Sequence, residues 1–477
     1  MSKQKKNNLK KTAKKLKVVR STAGEKTKVK TEARVDSNGN GKKTYSLLRG
    51  MHDILPKDEK YWKALYRTAE QLAEHFQFGR IETPLLEEAS LFIRSIGKGT
   101  DVVDKEMYVF EDRDTNKVTL RPENTAAIVR AYIMHGMWNM VQPIKMWYWG
   151  PMFRYDRPQA GRFRQFHQAG FEIIGDPDPV QDAELVLVAY NFYKDMGLPV
   201  EVHINSIGMP EERQKYKIAL VEYYRSKRSY LCDDCKQRLH KNPLRLLDCK
   251  QERCQPIKEE APQIIAWLEE ESKNHFMKVL EYLDELGVPY VLKPALVRGL
   301  DYYTRTVFEL FPLATNEEGV HGSQSALGGG GRYDLLVEEM GGKAAPAVGF
   351  SLGLERSVSA LRQYLDSKQI KFEVPQFDAF MAQLGDQARR RALKTINELR
   401  ASGLRIGYNF SKNSLKGQLE TANSLQVPYA LILGQKEVQD GTVIIRDMES
   451  GVQEIVDQKK VEHILKKKLA RFDDSKK

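Results

Sequence analysis

Within Leu296–Glu309, LVRGLDYYTRTVFE, the charged side chains Arg298, Asp301, Arg305 and Glu309 fall in twelve residues. Around them Tyr302, Tyr303, Thr304, Thr306, Val307 and Phe308 are β-branched or aromatic, so composition predicts a strand. A buried charge is costly unless it is paired or put to use. The segment is therefore either an amphipathic edge strand with one charged face or a strand whose charges meet a ligand. A second charge-rich stretch, Met152–Glu172 (MFRYDRPQAGRFRQFHQAGFE), sets Arg154, Arg157, Arg162 and Arg164 around Pro158 and Gly161. A loop between two strands would project these arginines onto one ligand; the bland alternative is a solvated hairpin. Pro346–Arg356 (PAVGFSLGLER) reads as a strand turning into a helix with Arg356 at its start, and both helix N-termini and arginines suit polyphosphate. A site that holds two anions in line, and absorbs charge as a phosphate-type group leaves, needs arginines and Mg²⁺ rather than a covalent nucleophile.

These groups need elements to hold them. Pro56 and Asp58 read as a helix start, and Trp62, Leu65, Ala69, Leu72 and Phe76 continue at helical spacing to Gly79. A strand-rich region follows to about Pro210, then a highly charged, mostly helical stretch to about Gly287. β-character resumes at Val288 and runs to Glu355. After Glu373–Pro375 strands and helices alternate: strands at Phe377–Leu384, Leu404–Phe410 and Tyr429–Leu433, helices at Gln387–Ala401 and Leu415–Leu425. A hairpin around Val443–Val456 and a helix Val461–Phe472 complete a small α/β domain. The glycines of LGGGGRYD, before Arg332-Tyr333-Asp334, permit close backbone approach; they fit a phosphate loop or a bulged strand. No Gly-Lys-Ser/Thr follows, which excludes a Walker motif.

All four cysteines lie in the helical stretch, as Cys232-x2-Cys235-x13-Cys249-x4-Cys254. The pairwise spacing is that of a structural zinc site, the alternative being four reduced thiols. Four cysteines in 477 residues do not make a disulfide scaffold, which fits a reducing cytoplasm. The net charge of +12 sits entirely in residues 1–43, with 15 Lys or Arg against 3 Asp or Glu; the rest holds 61 of each sign. That extension is expected to be disordered, with an anionic partner such as RNA as its alternative use. No run of 18 apolar residues occurs and the Lys-rich start lacks the apolar segment of a secretory signal, so no membrane partner and a cytoplasmic location are expected.

Leu296–Glu309 resembles, almost letter for letter, the histidine-specific signature of histidyl-tRNA synthetases, a class II aminoacyl-tRNA synthetase family. Met152–Glu172 resembles motif 2 of that class, Pro346–Arg356 motif 3, and Phe78–Leu86 (FGRIETPLL) motif 1. The likeness covers about Leu48–Phe472. It implies an α+β fold: an antiparallel catalytic sheet flanked by helices, a helical insertion that embraces the tRNA acceptor arm, and a C-terminal α/β anticodon-binding domain. The expected boundaries are 1–43 for the basic extension, 44–210 and 289–373 for the two parts of the catalytic domain, 211–288 for the insertion, and 374–477 for the anticodon domain. It further implies histidine–tRNA ligase activity with ATP and Mg²⁺, a histidine tRNA as partner, and a homodimer built through motif 1 and Pro84.

Residue roles follow from the same likeness. Arg154 clamps the α-phosphate and the histidine carboxylate, Arg162 and Asp156 help bind ATP, and Arg356 meets the γ-phosphate. Arg157, Pro158 and Gln159 face the tRNA acceptor end. Glu172 and Tyr303 serve the two imidazole nitrogens, with Tyr333 against the ring and Tyr302 in the same pocket. Glu123, Asn124 and Thr125, in RPENTAA, serve the α-amino group; Gln168 lies between carboxylate and phosphate. Arg298 stabilises the pentacoordinate α-phosphate. Two departures from the family pattern are Asp156, where Glu is usual, and Asn124, where Gly is more frequent. A synthetase-like regulatory subunit of ATP phosphoribosyltransferase or a tRNA-sensing RNA-binding module are the alternatives; the presence of Arg154, Arg298 and Arg356 and of a C-terminal domain speaks against the first.

Overall fold

The computed structural model describes residues 45–97, 100, 102–156, 161–313, 326–370 and 377–475. The basic extension lies outside them, as do Arg157, Pro158 and Gln159. The apolar spacing after Pro56 forms the helix Glu59–His75, which buries Leu65, Ala69 and Leu72. Gln77, at φ 64°, turns the chain out of it.

The catalytic body is an eight-stranded sheet. Its order is Gly79–Arg80, Ile144–Phe153, Gln165–Ile174, Ala347–Gly353, Gly328–Arg332, Thr304–Pro312, Val200–Ser206, Tyr290–Leu292. The outermost pair at each edge is parallel and every inner pair is antiparallel. Successive side chains on a strand point to opposite faces. Ala169, Phe171 and Ile173 therefore join Val348, Phe350, Phe308 and Leu310 in one core, against the helices Glu59–His75, Pro179–Asp195 and Leu354–Ser367. Phe171 and Phe350 stack with centroids 5.2 Å apart, and each buried ring contributes roughly 1.5–3 kcal/mol. The alternate positions Gln168, Glu172, Gly349, Ser351 and Glu309 are left for the opposite face. That face carries the polar site.

Motifs 2 and 3 take the expected forms. Strands Ile144–Phe153 and Gln165–Ile174 pair as an antiparallel hairpin, and Ala347–Gly353 leads into the helix Leu354–Ser367. The four glycines are a bulged strand, with the irregularity between Gly331 and Arg332. The signature segment differs from expectation. Its strand starts only at Thr304, and residues 296–303 form an irregular loop and turn. Tyr302 and Tyr303 are aromatic because they wall a buried pocket, not because they pleat. Arg305, at φ 45°, marks the bend into the strand.

The insertion is also divided differently from expectation. Tyr216, Leu220 and Tyr224 of the helix Pro210–Ser226 pack with Leu231, Cys235, Leu246 and Ile264, in a cluster continuous with Tyr302, Tyr303 and Tyr333. The helix Glu270–Glu285, expected to belong to the insertion, instead places Phe276, Val279 and Leu283 in the sheet's other core beside Leu185 and Phe192. Periodicity shows that a helix has an apolar face, not which core receives it.

Residues 377–475 form a five-stranded sheet in the order Ile406–Tyr408, Ala379–Gln383, Tyr429–Leu433, Thr442–Asp447, Gln453–Asp457. The first three strands are parallel and the last two antiparallel. One short helix, Gln435–Asp440, was not foreseen; the Glu437 carboxylate accepts from the Gly434 N–H at 2.8 Å at its start. Among the described residues, no helix is long and apolar enough to cross a membrane.

Candidate active site

A cavity of about 370 Å³ opens on the polar face of the eight-stranded sheet. Arg154, Asp156 and Arg162 from the motif 2 hairpin line it, as do Gln168, Arg298 and Arg356. Glu123, Thr125, Tyr302 and Tyr303 complete the expected set that reaches it. Segments far apart in sequence thus meet at one cavity, while Asn124, Glu172 and Tyr333 of the expected set are not among its lining residues.

The arginines are held from behind, leaving their charge toward the cavity. Arg154 Nε donates to the Pro122 carbonyl at 2.8 Å, and its guanidinium lies 5.4 Å from the centre of the Phe166 ring. Arg356 Nε donates to the Gly161 carbonyl at 3.1 Å and Nη1 to that of Ala326 at 2.9 Å. The neighbouring Glu355 carboxylate accepts from the His167 N–H at 2.9 Å, locking the motif 3 helix to the motif 2 hairpin. Arg162 Nη1 donates to Asp156 Oδ2 at 3.2 Å. Burial, and then the like charges of Arg162 and Arg154, push the Arg356 guanidinium below its ordinary value. Crowded cations of this kind are a receptor for a polyanion.

Arg298 lies across the sheet. Its Nη1 donates to Glu309 Oε1, and its guanidinium is 5.5 Å from the centre of the Tyr303 ring. A Cβ at Gly329 would come within 2.8 Å of Arg298 Nη1 and closer still to the Phe308 carbonyl, so only glycine lets the arginine rest here. Arg298 Nε and Gln168 Oε1 are buried without a protein hydrogen-bond partner among the described residues. Buried polar atoms are ordinarily paired, so both mark where a polar ligand would bind.

Beneath the cavity floor lies Glu172, 1% exposed. Thr125 Oγ1 donates to its Oε1 at 2.8 Å, and the Tyr333 hydroxyl donates to Oε2. Burial pushes this carboxyl up to about 8, against the two hydroxyls, with Glu123 adding to the rise. A Cβ at Gly349 would fall 1.5 Å from Glu172 Oε2, so the adjoining strand must carry glycine. Tyr302 packs against Tyr303 and Tyr333 at centroid distances of 4.7 and 5.7 Å. Glu123 accepts from the N–H groups of Thr125 at 2.7 Å and Ala126 at 3.0 Å. Its carboxylate thereby caps the helix Thr125–Met134 while still facing the cavity. Burial raises its carboxyl above the ordinary range.

Asn124 departs from expectation. Its Oδ1 accepts from Thr83 Oγ1 at 2.7 Å and Arg121 Nη1 at 3.1 Å, and it does not line the cavity. Arg121, 3% exposed, also donates to the Thr83 and Pro151 carbonyls, so it fixes this corner of the site. Its place in RPENTAA was visible in sequence, but its partners lie 30 to 38 residues away. Asp248 and Arg245 of the insertion, which no motif pointed to, also line the cavity.

The sulfur atoms of Cys232, Cys235, Cys249 and Cys254 all lie within 4.8 Å of one another. Tetrahedral Zn–S bonds of about 2.3 Å place sulfurs roughly 3.8 Å apart, and Cys232 Sγ to Cys249 Sγ is 3.8 Å. The N–H groups of Cys235 and Cys232 point at Cys232 Sγ and Cys254 Sγ, at 3.4 and 3.3 Å. Such N–H···S contacts suit thiolates. This donor set fits a structural zinc ion.

A histidyl-tRNA synthetase family model matches residues 50–212 and 233–357, and an anticodon-binding-domain model matches 378–468. The chain is 44% identical over 411 residues to a histidine–tRNA ligase of Dehalococcoides mccartyi, covering 86% of this chain and 96% of that one. It is 44% identical over 413 residues to one of Desulforamulus reducens, with the same coverages. The crystal structure of apo S. aureus histidyl-tRNA synthetase superposes with a TM-score of 0.72 at 36% identity, over 89% of this chain and 100% of that chain. Matched in sequence across both catalytic parts and the C-terminal domain, and in architecture across the whole sheet, this chain belongs to the histidyl-tRNA synthetase family.

Proposed function

We propose that the chain is a histidine–tRNA ligase: it joins histidine to ATP as histidyl-adenylate, releasing pyrophosphate, and passes histidine to the 3′ end of a histidine tRNA. One observation carries this. A buried carboxyl, bracketed by two hydroxyls, lies beneath the floor of a cavity whose walls hold five arginines, with Arg154 and Arg162 close enough to Arg356 for their like charges to act on it. The floor suits an imidazole, since a polar partner left unpaired is what rejects an impostor. The walls suit ATP. Arg154 is placed to hold the histidine carboxylate against the α-phosphate, Arg162 and Arg356 the outer phosphates, and Arg298 the charge that develops at phosphorus. Glu123 and Thr125 receive the α-amino group. Gln168, whose Nε2 donates to Ser351 Oγ at 3.2 Å, turns its unpaired Oε1 toward the ligand. Asn124 and Arg121 position this corner without touching substrate. Mg²⁺ would arrive with the ATP phosphates, needing few protein ligands; Glu309 and Asp156 are carboxylates on the cavity wall, paired with Arg298 and Arg162. The test is histidine-dependent ATP–pyrophosphate exchange followed by charging of histidine tRNA. A regulatory subunit or an RNA-sensing module would support neither.

Glu172→Gln is expected to raise the KM for histidine about 10–100-fold, the loss of one charge-assisted hydrogen bond, with the KM for ATP little changed. pH adds a second readout. Below about 8 the empty site holds its proton on Glu172, and histidine arrives with a neutral ring above its own pKa of about 6.5. The bound pair then shares that one proton. Above 8 the empty site has lost it and must recapture it on binding, so KM should climb with pH, by about tenfold per unit at most. Glu172→Gln should abolish that extra climb; a parallel pH profile in parent and variant would count against this role.

The four thiolates are read as holding one zinc ion that ties the insertion together. Protein prepared without chelators should carry about one equivalent per chain, as four thiolates complete a single tetrahedral site. Metal analysis without zinc would remove this reading.

A homodimer is supported by the exposed apolar groups Leu85, Leu86, Val109 and Phe110 beside motif 1. The extension 1–43 is read as an RNA-capturing arm. Lysine–phosphate contacts release counterions and weaken steeply with salt. Truncation at residue 43 should therefore spare pyrophosphate exchange, weaken tRNA binding at low salt and flatten its salt dependence. Unchanged slopes in a three-salt titration would make the extension a passive tail.

A further inference from the structure

The cysteine knot reaches further than the insertion. Between Cys235 and Cys249 the chain passes through the end of the helix Asp233–Lys241 and the short turn Pro243–Leu246. The side chains of this stretch do not face solvent alone. Arg245 and Asp248 line the catalytic cavity, and they approach each other at 3.5 Å. Arg245 lies against the loop that carries Arg298: a Cβ on Gly299 would stand 3.3 Å from Arg245 Nη1. Asp301, two residues on, is faced by Arg245, by the Asn242 side chain, and by Lys217 and Arg213 of the helix Pro210–Ser226. Arg213 also donates to the Tyr303 carbonyl. The irregular loop 296–303, which has no strand partner of its own, is thus gripped from the insertion. Of these contacts, the one to Gly299 comes from a turn flanked by Cys235 and Cys249 of the four-cysteine cluster. Short 3₁₀ turns have poor internal hydrogen bonding, so this one takes its position from its anchors, the cysteines at its ends and the leucines it buries in the insertion's core. Only Leu246 and Leu247 are buried within it besides Cys249.

We propose that the four-cysteine metal knot is a positioning device for adenylate formation: by fixing residues 242–249 it sets Arg245 and Asn242 against Gly299 and Asp301, and so holds Arg298 over the cavity. Arg245 is a positioning residue in this scheme. The proposal rests on the ligase reading and on the zinc reading, and it places the insertion at the adenylate site as well as at the tRNA.

The test uses the full-length zinc-loaded chain, its zinc measured, with two ligands followed by calorimetry. One is free histidine, which tests the pocket floor. The other is histidyl-sulfamoyl-adenosine, an unreactive mimic of the adenylate that spans the loop's reach. Arg245→Ala should keep its zinc and its affinity for histidine, yet lose about tenfold in affinity for the mimic and in kcat of exchange, the size of a contact-level coupling. Asn242→Ala should lose less, in the same selective way. Removing zinc from the parent should reproduce the Arg245→Ala loss, and removing it from Arg245→Ala should add less than about twofold, because both act through one contact. Losses that multiply, or an Arg245→Ala protein indistinguishable from the parent, overturn the proposal; so does a chain that binds no zinc. The two point variants stay decisive if the stripped chain unfolds. A parent without histidine-dependent exchange would instead bring down the ligase reading beneath it, a result separable from all of these.

Discussion

Arg298→His is expected to lower the rate of histidyl-adenylate formation about 10²–10³-fold, the usual cost of losing one preorganised electrostatic donor, with ATP and histidine affinities falling much less. The geometry supports this division. Glu309 and the Tyr303 ring hold the guanidinium from one side, Gly329 leaves it room on the sheet, and its Nε is buried with no partner among the described residues. A group so restrained meets charge that appears at the α-phosphate without having to reorganise. In the proposed roles the ground-state grip on ATP is spread over Arg154, Arg162 and Arg356, so removing Arg298 should leave it largely in place. Single-turnover adenylate formation against ATP and histidine binding separates the two terms. Equal losses in both would make Arg298 a ground-state binder.

The sequence disclosed this arginine's importance more readily than its support. Motif residues announce themselves because their chemistry is written into short windows: Arg154 with Arg162, Arg298 with Glu309, Arg356 at a helix start. The structure adds what joins those windows. Glu172 could be named from a resemblance, but its hydroxyl partners Thr125 and Tyr333 stand 47 and 161 residues away. Tyr302 and Tyr303 misled the strand assignment because aromatic residues serve a pocket wall as well as a pleated sheet. The helix Glu270–Glu285 misled the domain boundary because an apolar face is anonymous until it finds its core. Arg245 and Asp248 carried no signal at all; they reach the cavity wall because the fold carries the segment between Cys235 and Cys249 there.

The largest expected effect on stability belongs to a residue that the glycine-rich motif concealed. Arg332 is completely buried, and all its N–H groups have acceptors close at hand. Nε donates to Asp182 Oδ2 at 2.9 Å, Nη1 to the Asp176 carbonyl at 3.2 Å and Asp334 Oδ1 at 3.1 Å, and Nη2 to the Asp178 carbonyl at 3.1 Å and again to Asp182. Asp182 is equally buried, with His275 at 3.4 Å from its other oxygen. Although burial works to raise it, Arg332 and His275 hold the Asp182 carboxyl down to about 2. Arg332→Ala strands that carboxylate, and breaking a buried pair from one side costs about 3–5 kcal/mol. All five tryptophans, Trp62, Trp138, Trp147, Trp149 and Trp267, lie outside the C-terminal domain, so their fluorescence reports on the affected part of the chain. The pH dependence distinguishes this mechanism from a simple packing loss. In the parent, the depressed Asp182 contributes stability that is complete above its unfolded value near 3.8 and is lost as pH falls toward 2. In the variant, burial without the guanidinium raises the folded value above the unfolded one. Its contribution is then greatest at low pH and is lost as pH rises through the raised value. On acidification through that raised value, against which only His275 still works, the variant should therefore regain stability, while above about 3.8 this group in the parent contributes no slope. Adding Asp182→Asn should recover part of the loss, since a buried pair removed from both sides costs far less than one broken. Because Arg332 directly precedes Tyr333, whose hydroxyl meets Glu172, the single variant should also raise the KM for histidine. A variant whose stability loss keeps one value from pH 5 to 8 would mean that the Asp182 charge is not what Arg332 holds in place.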